Sequence, residues 1–572
     1  MPPWAALPAR SASLLRDFPI VFAGLALFYG LLSFAHYWAG PVGAQSEIDL
    51  HATALPKYAL YSVARIALAY VFSLIFTLVY GYIAAYNAKA ERIMVPLLDT
   101  LQSIPVLSFL PGVMLSMVAL FPSRQLGIEL GSILLIFTGQ VWNMTFSFYS
   151  SLKNIPQEMR EASHVYGFSW WQRFTQMELP YAAIGLIWNS MMSVAGGWFF
   201  LMACEMFVLG DRDFRLPGLG SYLQVAANHG DTHAILLGLL TMIAVIILID
   251  QFVWRPVIAW AEKFKFEQVE ATDVPRSPVL NWLRRSHLLH WVERWSLKPA
   301  EEMLNLHFAA EAVAQHKQRE SSRIAIWVAR ALGAIAVAGI LYAMVRIVMM
   351  LTEVSRAELR EILLGAGATF LRVEFILLLA TLWTVPVGVY IGLRPRISAI
   401  FQPVAQVAAS VPATALFPVI LLVLIRWGGG LGIGSLVLLM LGTQWYLLFN
   451  VIAGASAIPT DLKEVCDLFH FPKRERWRYL LLPGIFPYLI TGLVTASGGA
   501  WNASIVAEYF HFKGQTISTV GLGAVISQAT DSGNYRLLMA ATVAMAMIVV
   551  TINRLVWRRM YALAATRFKL DG

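Results

Sequence analysis

Long apolar runs constrain this chain more than any other feature of its sequence. Hydrophobic residues fill 58% of its 572 positions and charged residues only 13%, about half the charged fraction of a typical soluble domain. The apolar residues gather in runs close to the ~20 residues that a helix needs to cross a bilayer. The sequence therefore predicts an all-α polytopic membrane protein with about twelve transmembrane helices. The runs lie near residues 19–38, 59–85, 97–121, 127–150, 181–205, 233–254, 324–351, 369–392, 400–425, 431–453, 484–505 and 536–556.

The charge balance and the cysteines argue against other classes of protein. The net charge of +9 fits the Lys and Arg residues that membrane proteins collect in cytoplasmic loops, and we predict no nucleic-acid partner. Cys204 and Cys466 stand far apart without metal-ligand spacing, so neither a disulfide framework nor a metal site is predicted. The sequence shows no nucleophile–base arrangement and no Walker motif. We therefore predict that the chain is not an enzyme and holds no catalytic residue.

The charges in the loops predict which side of the membrane each loop faces. Basic residues cluster in one set of loops and acidic residues in the opposite set, and basic loops are cytoplasmic in membrane proteins. The basic loops, and with them both termini, are therefore predicted to be cytoplasmic. The basic set is Lys89, Arg92, Lys153, Arg160, Arg173, Arg394, Arg396, Lys473, Arg474, Arg476, Arg478, Arg554, Arg558 and Arg559, and the acidic set is Glu47, Asp49, Asp211, Asp213, Asp231 and Glu353.

The chain contains an internal duplication. In the later part of each half, rare residues recur 303 positions apart, as at 156 and 459, and in the earlier part 307 positions apart, as at 65 and 372. This register predicts two homologous six-span units in tandem, residues 1–254 and 323–572. The matching residues include Pro156/Pro459, Glu161/Glu464, Pro180/Pro483, Trp198/Trp501, Glu205/Glu508, Gly218/Gly521, Arg65/Arg372, Gly81/Gly388, Pro105/Pro412 and Pro111/Pro418.

A polar stretch, residues 255–322, separates the two units. Its segment LLHWVERW has an amphipathic pattern that suits a helix lying along the membrane face. We interpret the stretch as a cytoplasmic linker that holds the two units together, and a regulatory module is the alternative.

Six spans in each unit give the two units the same orientation. Such units are expected to be related by an axis along the membrane normal, with a translocation path between them. This architecture is typical of a transporter. A channel could also be built this way, but the sequence shows no filter-like carbonyl loop and no ring of like charge.

The loop between the fourth and fifth spans of the first unit, residues 153–180, has the pattern of a short helix on the cytoplasmic face. Pro156 is a good first helical residue, and Glu158 and Glu161 follow in the early turns, where acidic groups suit the helix dipole. Gly167 is a natural helix stop. Such a helix is well shaped to sit in a groove on a soluble partner.

This loop also resembles a family motif. EASHVYGFSWWQRFTQMELP, residues 161–180, resembles the EAA motif of binding-protein-dependent ABC importer permeases, in which a glycine and a later Leu-Pro follow E-A-A. Ser62-x-x-Arg65, the segment SIPVLSFLP, and a Gly-Gly pair, Trp and Glu followed by GLG are similar to the nitrate/sulfonate/taurine/bicarbonate branch. The resemblance covers about 60–250 and 367–550. It implies the type I importer (MetI-like) fold, with two permease units fused in one chain.

The resemblance implies that residues 153–180 and 456–483 are coupling loops that dock into ATP-hydrolysing subunits. The first loop has Ser163 where the family usually has a second alanine, and in the second loop His470 replaces the glycine. We expect the second, degenerate helix still to dock, with a different contact. The residues assigned to the two loops are Pro156, Glu158, Glu161, Ala162, Ser163, Gly167, Pro459, Glu464, Val465, Cys466 and His470.

Polar residues inside the predicted spans are costly unless they are paired or line a path. Arg65 and Glu205 are predicted at similar depth near the outer leaflet, and the duplication repeats this arrangement, so we predict one ion pair in each unit. The glycine pairs of the fifth spans allow close helix approach, and Phe199 corresponds to Asn502, which makes the path asymmetric. Helix packing and a role in the path both stay open for Arg65, Trp198, Glu205, Arg372, Trp501, Asn502, Ser504 and Glu508.

Together with the resemblance, the sequence predicts the permease of an ATP-driven importer in the bacterial plasma (inner) membrane. The resemblance implies two copies of an ABC ATPase subunit, which bind ATP and Mg, whereas no cofactor is predicted in this chain. It also implies an external solute-binding protein that delivers a small solute, expected to be a small anion such as nitrate, sulfonate, taurine or bicarbonate. A secondary transporter, a channel and an ABC permease for an unrelated solute are the alternatives.

Overall fold

The computed structural model describes residues 48–122, 125–209, 212–264, 277–286, 323–426, 430–512 and 515–567, with Trp38 and the short pieces 294–295, 298–299 and 302–303. These residues form helices and two short hairpins. The first predicted span and most of the predicted linker lie outside the described residues.

In the described part of the first unit, the long helices lie at the positions where the apolar runs predicted membrane spans. They are α1 (Leu55–Tyr86), α2 (Ala88–Ser103), α3 (Leu110–Leu120), α4 (Leu126–Lys153), α5 (Gln157–Val165), α6 (Leu179–Glu205), α7 (Leu219–His229) and α8 (Thr232–Ile249). A hairpin of β1 (Val208–Leu209) and β2 (Arg212–Asp213) separates α6 from α7.

The second unit begins with α9 (Arg323–Thr352) and then repeats the order of the first. The repeated helices are α10 (Arg356–Gly392), α11 (Pro395–Ser410), α12 (Ala413–Arg426), α13 (Leu431–Ala457), α14 (Thr460–Leu468), α15 (Leu482–Ala507), α16 (Leu522–Asp531) and α17 (Tyr535–Ile552). The hairpin of β3 (Tyr509–Phe512) and β4 (Gln515–Ser518) has the same place, between α15 and α16.

The predicted count of twelve spans is not reached in the described residues. Eight of their helices are long and apolar enough to cross a membrane, or up to ten if each of two bent pairs counts as one span. The bent pairs are α2 with the turn and helix that follow, at 86°, and α11 with α12, at 77°.

The third span of each unit is therefore not the continuous helix that the apolar runs predicted. Pro105 and Pro412 stand at the two bends, and a proline disfavours the helical region for the residue before it. Ile104 and Val411 accordingly have extended backbones, with ψ of 128° and 115°. The break in each apolar run thus has a local steric cause.

Four widened, π-helical turns occur at equivalent places in the two units. Phe174–Glu178 and Trp477–Leu481 lead directly into α6 and α15, and Asp250–Trp254 and Asn553–Trp557 follow α8 and α17. Such turns are often found at functional sites in helices. Two of them join the segments after α5 and α14 to the central helices of the molecule.

The two units pack against each other reciprocally. Helices α1, α4 and α6 form the packed centre of the first unit, and α10, α13 and α15 that of the second. The broken third span of each unit reaches the other unit, because α12 contacts α6 while the turn Val106–Phe109 contacts α15. The hairpins also cross, since β3 contacts α7 and β1 contacts α16. One large hydrophobic cluster therefore contains residues of both units, and three smaller clusters lie within one unit each.

Candidate coupling surface and translocation chamber

Two short helices lie where the sequence predicted coupling loops. α5 and α14 each have nine residues, and each follows a proline, Pro156 or Pro459, that stands just before the helix. The prolines are therefore boundary residues and not the first helical residues that the sequence suggested. Their ψ angles of 144° and 143° are extended, so neither proline is part of the helix that follows it.

Both helices end in the same turn although their sequences differ. Three backbone hydrogen bonds close the turn at the end of α5. They run from Tyr166 N–H to Ala162 O, from Gly167 N–H to His164 O and from Phe168 N–H to Ser163 O. The same three bonds recur 303 positions later in α14. Gly167 has a φ of 65°, and His470, its counterpart, has a φ of 50°. A side chain in this left-handed region costs roughly 1 kcal/mol or more, so the second loop keeps the backbone at an energetic cost.

The surfaces of the two helices are divided in the same way. Ser163 and Cys466, at equivalent positions, are buried against the membrane-embedded part of the chain. The acidic residues Glu158, Glu161 and Glu464 are exposed. Exposed apolar side chains stand at the ends of both helices, namely Val165 (84%), Tyr166 (78%), Leu468 (76%) and Phe469 (68%), with Ala162 and Val465 exposed beside them.

The first of the two predicted coupling loops is tied to α1 by a buried carboxylate. Glu178 is fully buried, accepts a hydrogen bond of 2.7 Å from the hydroxyl of Tyr86 and lies 2.9 Å from Arg173. Arg173 also donates to the hydroxyl of Tyr82, and both tyrosines belong to α1. Position 481, equivalent to Glu178, is a leucine. The second loop has instead a more exposed ion pair between Arg476 and Asp467, at 2.7 Å.

The structure brings together the two Arg–Glu pairs that the sequence predicted. Arg65 lies 2.7 Å from Glu205, with both side chains fully buried, and Arg372 pairs with Glu508. The sequence reasoning missed Glu129, which lies 2.6 Å from Arg65 and is also fully buried. Its equivalent in the second unit, 303 positions later, is Gly432. Among the described residues, two carboxylates contact Arg65 and one, that of Glu508, contacts Arg372.

The carboxylates of these pairs also hold the glycine motif that follows them. Glu205 accepts a hydrogen bond of 2.7 Å from the amide of Gly220, and Glu508 one of 2.8 Å from the amide of Gly523. A Cβ atom at Gly218 or Gly521 would overlap the neighbouring carboxylate. The Arg, the Glu and the GLG motif of each unit thus form one buried contact that joins α1 to α6 and α7, or α10 to α15 and α16.

A chamber with two lobes lies between the units. Lobe A is lined by Met192, Phe199, Gln406, Ala409, Trp445 and Phe449, and lobe B by Asp99, Gln102, Trp142, Asn143, Thr495 and Asn553. A common wall of Phe200, Tyr446, Gly499 and Asn502 borders both lobes.

The chamber contains one of the eight residues proposed for the path. Asn502 lies in the common wall, where its side-chain oxygen accepts a hydrogen bond of 3.3 Å from the amide of Leu107 in the other unit. Trp198 and Trp501 are buried in the core, and Ser504 is buried with its hydroxyl donating to Trp501 O. These three, like the Arg–Glu pairs, line neither lobe, and their contacts support a packing role.

The glycine pairs of the fifth spans differ in what they allow. A Cβ at Gly197 would overlap the side chain of Gln140, so α4 and α6 do approach closely there. A Cβ at Gly499 would lie 3.3 Å from the ring of Tyr446, whereas a Cβ at Gly498 would have no neighbouring atom within 4 Å. The predicted close approach therefore holds for Gly197 and not for Gly498.

The two hairpins and the segments beside them contain titratable residues whose pKa values are shifted by their neighbours. Burial acts to raise the pKa of Asp213, but hydrogen bonds from Arg215 outweigh it and hold that pKa below its ordinary value. Burial, together with a hydrogen bond to Asp531, raises the pKa of Tyr509. In the part of the chain that the structure describes, no group of three or more His, Cys, Asp or Glu side chains is placed to hold a metal ion.

The duplicated helices, the crossed contacts and the chamber between the units define the membrane-spanning part of a transporter. The profile of the family described as "binding-protein-dependent transport system inner membrane component" matches residues 77–253 and 384–569, once in each unit. The chain belongs to this family, and the resemblance seen in the sequence is confirmed. It is a multi-pass membrane protein with two fused permease units.

Individual relatives share about a quarter of their aligned residues with this chain. The nitrate import permease protein NrtB of Leptolyngbya laminosa is 25% identical over 190 residues, which are 33% of this chain and 64% of the relative. The taurine transport system permease protein TauC of Escherichia coli is 24% identical over 165 residues, 29% of this chain and 56% of the relative. The bicarbonate transport system permease protein CmpB of Synechococcus elongatus is 26% identical over 130 residues, 23% of this chain and 45% of the relative. The chain thus spans less than two thirds of the length of each.

Proposed function

We propose that this chain is the permease subunit of an ATP-driven importer, moved by two separate ATPase subunits that dock on α5 and α14 and bind ATP and Mg. The observation that carries the proposal is the pair of short exposed helices at equivalent places, with the same closing turn and the same apolar and acidic surface. Exposed apolar side chains rimmed by polar ones are typical of a protein–protein contact.

The fold supports a route from these helices to the chamber. Each coupling helix is followed by a four-residue helix, a π-helical turn and then α6 or α15, whose residues line the chamber. When ATP draws the two ATPase subunits together, the coupling helices move with them and shift α6 against α15. The chamber then opens to one side of the membrane at a time, as alternating access requires.

The orientation in the membrane follows from the same proposal. The ATPase face, with α5, α14 and both termini, is cytoplasmic, and the membrane is the plasma membrane of a bacterium. The outer hairpins, β1–β2 and β3–β4, face an external solute-binding protein that delivers a small solute. The names of the relatives make nitrate, taurine and bicarbonate the first candidates, and the anionic solute expected from the resemblance stays a prediction.

Co-purification with the ATPase tests this function directly. Replacing the exposed apolar pairs, with Val165→Ser and Tyr166→Ser in α5 and Leu468→Ser and Phe469→Ser in α14, is expected to abolish co-purification with the ATPase while the chain still inserts in the membrane. The matched control is Tyr535→Ser, an exposed aromatic (47%) at the start of α17.

Two results would contradict the proposal. One is an ATPase that remains bound to the quadruple variant as it does to the control. The other is solute uptake by the purified chain in vesicles that proceeds without ATP and without any ATPase, which is the behaviour of a secondary transporter or a channel.

A further inference from the structure

Lobe A of the chamber has an aromatic and uncharged lining. Five rings border it, those of Phe199, Phe200, Trp445, Tyr446 and Phe449. Among the described residues that line this lobe, none is Asp, Glu, Lys, Arg or His. Binding sites for small organic molecules have this character, with mostly apolar and aromatic walls and a few polar groups that fix the orientation of the ligand.

Three of the five rings have no ring at the equivalent position of the other unit. The pairs, 303 positions apart, are Phe199/Asn502, Phe200/Ala503 and Tyr446/Asn143. The repeated helices form with amide or methyl side chains at the second position of each unit's pair. The fold itself therefore does not require these rings, and they are a property of lobe A.

Glycines on the facing helices keep space open between the rings. The nearest atom to a Cβ at Gly442 would be the Cβ of Ala503, at 3.9 Å, and the nearest to a Cβ at Gly196 would be the Tyr446 hydroxyl, at 3.6 Å. Lobe A encloses about 100 Å³, and an apolar cavity of about 150 Å³ is enough to bind benzene in another protein. A single planar ring is thus the size of group that fits this lobe.

Two polar groups in lobe A are available to a ligand. The Tyr446 hydroxyl and the side-chain amide of Gln406 make no hydrogen bond to another described residue. A donor that is taken out of water without an acceptor is costly, and both groups can donate to an oxygen atom of a ligand. The lobe therefore combines space for a ring with hydrogen-bond donors beside it.

We infer that the solute contains a planar aromatic ring, which lies in lobe A, and an oxygen-bearing substituent, which accepts hydrogen bonds from Tyr446 and Gln406. The inference rests on the proposed import function and narrows its solute to aromatic compounds. Aromatic rings attract one another in offset or edge-to-face arrangements in addition to the gain from burial. Phe199 and Phe200 already stand edge to face, with centroids 5.5 Å apart and planes at 83°.

Tyr446 and Gln406 therefore act as specificity-determining residues, and the rings select for the apolar part of the solute. A small ion without a ring gains nothing from the aromatic lining, because the gain from burial is proportional to the apolar area removed from water. A ring-bearing solute is accordingly expected to bind more tightly than a solute with the same polar group and no ring.

A pair of probes that differ in the ring alone tests the inference. Benzenesulfonate and methanesulfonate carry the same sulfonate, on a phenyl ring and on a methyl group. With the full chain in lipid nanodiscs, a ligand that binds the folded state raises the midpoint of thermal unfolding. Benzenesulfonate is expected to raise the midpoint by about 1 °C or more at saturating concentration, and methanesulfonate at the same concentration is expected to leave it unchanged.

Two matched variants locate the bound ring. Gly442→Leu places a side chain in the open space of lobe A and is expected to remove the shift caused by benzenesulfonate. Gly498→Leu is the control, because Gly498 lines lobe B and also has no neighbouring atom within 4 Å of its Cβ position. Its shift should equal that of the unmodified chain.

A third variant tests the polar contact. Tyr446→Phe keeps the ring and removes the hydroxyl, so the affinity for benzenesulfonate, taken from the concentration dependence of the midpoint, is expected to fall about 2- to 10-fold. Should Gly442→Leu fail to fold, Tyr446→Phe and the comparison of the two sulfonates on the unmodified chain still decide the question.

Four outcomes would overturn the inference: a shift by methanesulfonate equal to that by benzenesulfonate, no shift by benzenesulfonate, a shift that survives Gly442→Leu, or an unchanged affinity in Tyr446→Phe. The measurement uses neither ATP nor a partner subunit. Its failure therefore leaves the proposed coupling to ATPases standing, and loss of that coupling would leave this result standing.

Discussion

At the scale of single residues, the most important contacts are those of the buried Arg–Glu pairs. The sequence predicted both Arg–Glu pairs because the duplication repeated them at equal depth and because a charge inside a span needs a partner. It missed Glu129, which has no counterpart in the second unit, so the repeat gave no signal for it. The contact of each carboxylate with the GLG motif was also missed, since nothing in a linear sequence shows that a glycine 13 residues further on faces the same side chain.

The unequal partners of the two arginines lead to a prediction. Glu508→Gln is expected to destabilise the chain more than Glu205→Gln, because Arg65 keeps the carboxylate of Glu129 whereas Arg372 keeps none among the described residues. Leaving a fully buried charge without its partner costs ~3–5 kcal/mol, and the loss at Arg372, whose side chain is 12% exposed, is expected to be smaller than this. The midpoint of thermal unfolding and the yield of membrane-inserted chain measure the difference.

Two further variants control that experiment. Arg372→Gln combined with Glu508→Gln is expected to recover part of the lost stability, because the unpaired charge is removed with its partner. Glu129→Gln is expected to resemble Glu205→Gln. Equal losses from Glu205→Gln and Glu508→Gln, or a double variant no better than either single one, would show that this pairing does not stabilise the fold as described.

At the scale of elements, the position of α5 was predicted more accurately than the helix breaks. Proline, early acidic residues and a glycine stop placed α5 within a residue or two, because helix ends carry local signals. The bends at Pro105 and Pro412 were missed because apolar runs cross them without interruption, so hydropathy alone records no break. The prolines gave only a weak signal, because a proline disfavours a helical residue before it but Pro96 and Pro386 stand inside helices of the same chain.

The left-handed turn of the second coupling loop gives an element-scale prediction. His470→Gly is expected to stabilise the end of α14 by roughly 1 kcal/mol, because glycine adopts a φ of this sign without strain. Hydrogen exchange of the amides of Phe469, His470 and Phe471 should slow by a few-fold. Gly167→His in the first loop is the matched control and should speed hydrogen exchange there. Unchanged exchange in both variants would show that the left-handed backbone at His470 is not strained.

The attachment of the two loops predicts unequal coupling. Charge reversal by Glu161→Lys is expected to impair ATP-driven transport more than Glu464→Lys, because Glu178 and Arg173 tie the first loop to α1 and the second loop has no such buried tie among its described residues. Transport and ATPase activity of the complete complex are measured at equal expression. Equal loss of transport in the two variants would count against this asymmetry.

At the scale of the whole molecule, two similar units surround a chamber that is not symmetric. Each broken third span packs on the central helix of the other unit, so neither unit completes the chamber alone. The duplication predicted a path between the units, and the Phe199/Asn502 difference predicted that it is asymmetric. The lobes themselves were not predictable, because they depend on how the broken spans bend across the interface.

The wall between the lobes supports a prediction about the whole path. The Tyr446 ring occupies space left by two glycines: a Cβ at Gly499 would lie 3.3 Å from the ring, and one at Gly196 3.6 Å from its hydroxyl. The residue equivalent to Tyr446 is Asn143, a smaller side chain in lobe B. Tyr446→Asn is therefore expected to join the lobes and to raise ATP-independent leak of a small solute severalfold in vesicles that contain the purified chain.

Asn143, the residue equivalent to Tyr446, supplies the control for the leak measurement. Asn143→Ala removes a side chain from lobe B but leaves the rings of Tyr446 and Phe200 in the common wall, so its leak should equal that of the unmodified chain. A leak that rises equally in both variants would show that the lobes are already continuous. A leak unchanged by Tyr446→Asn would place the barrier elsewhere, at the outer hairpins that cross between the units.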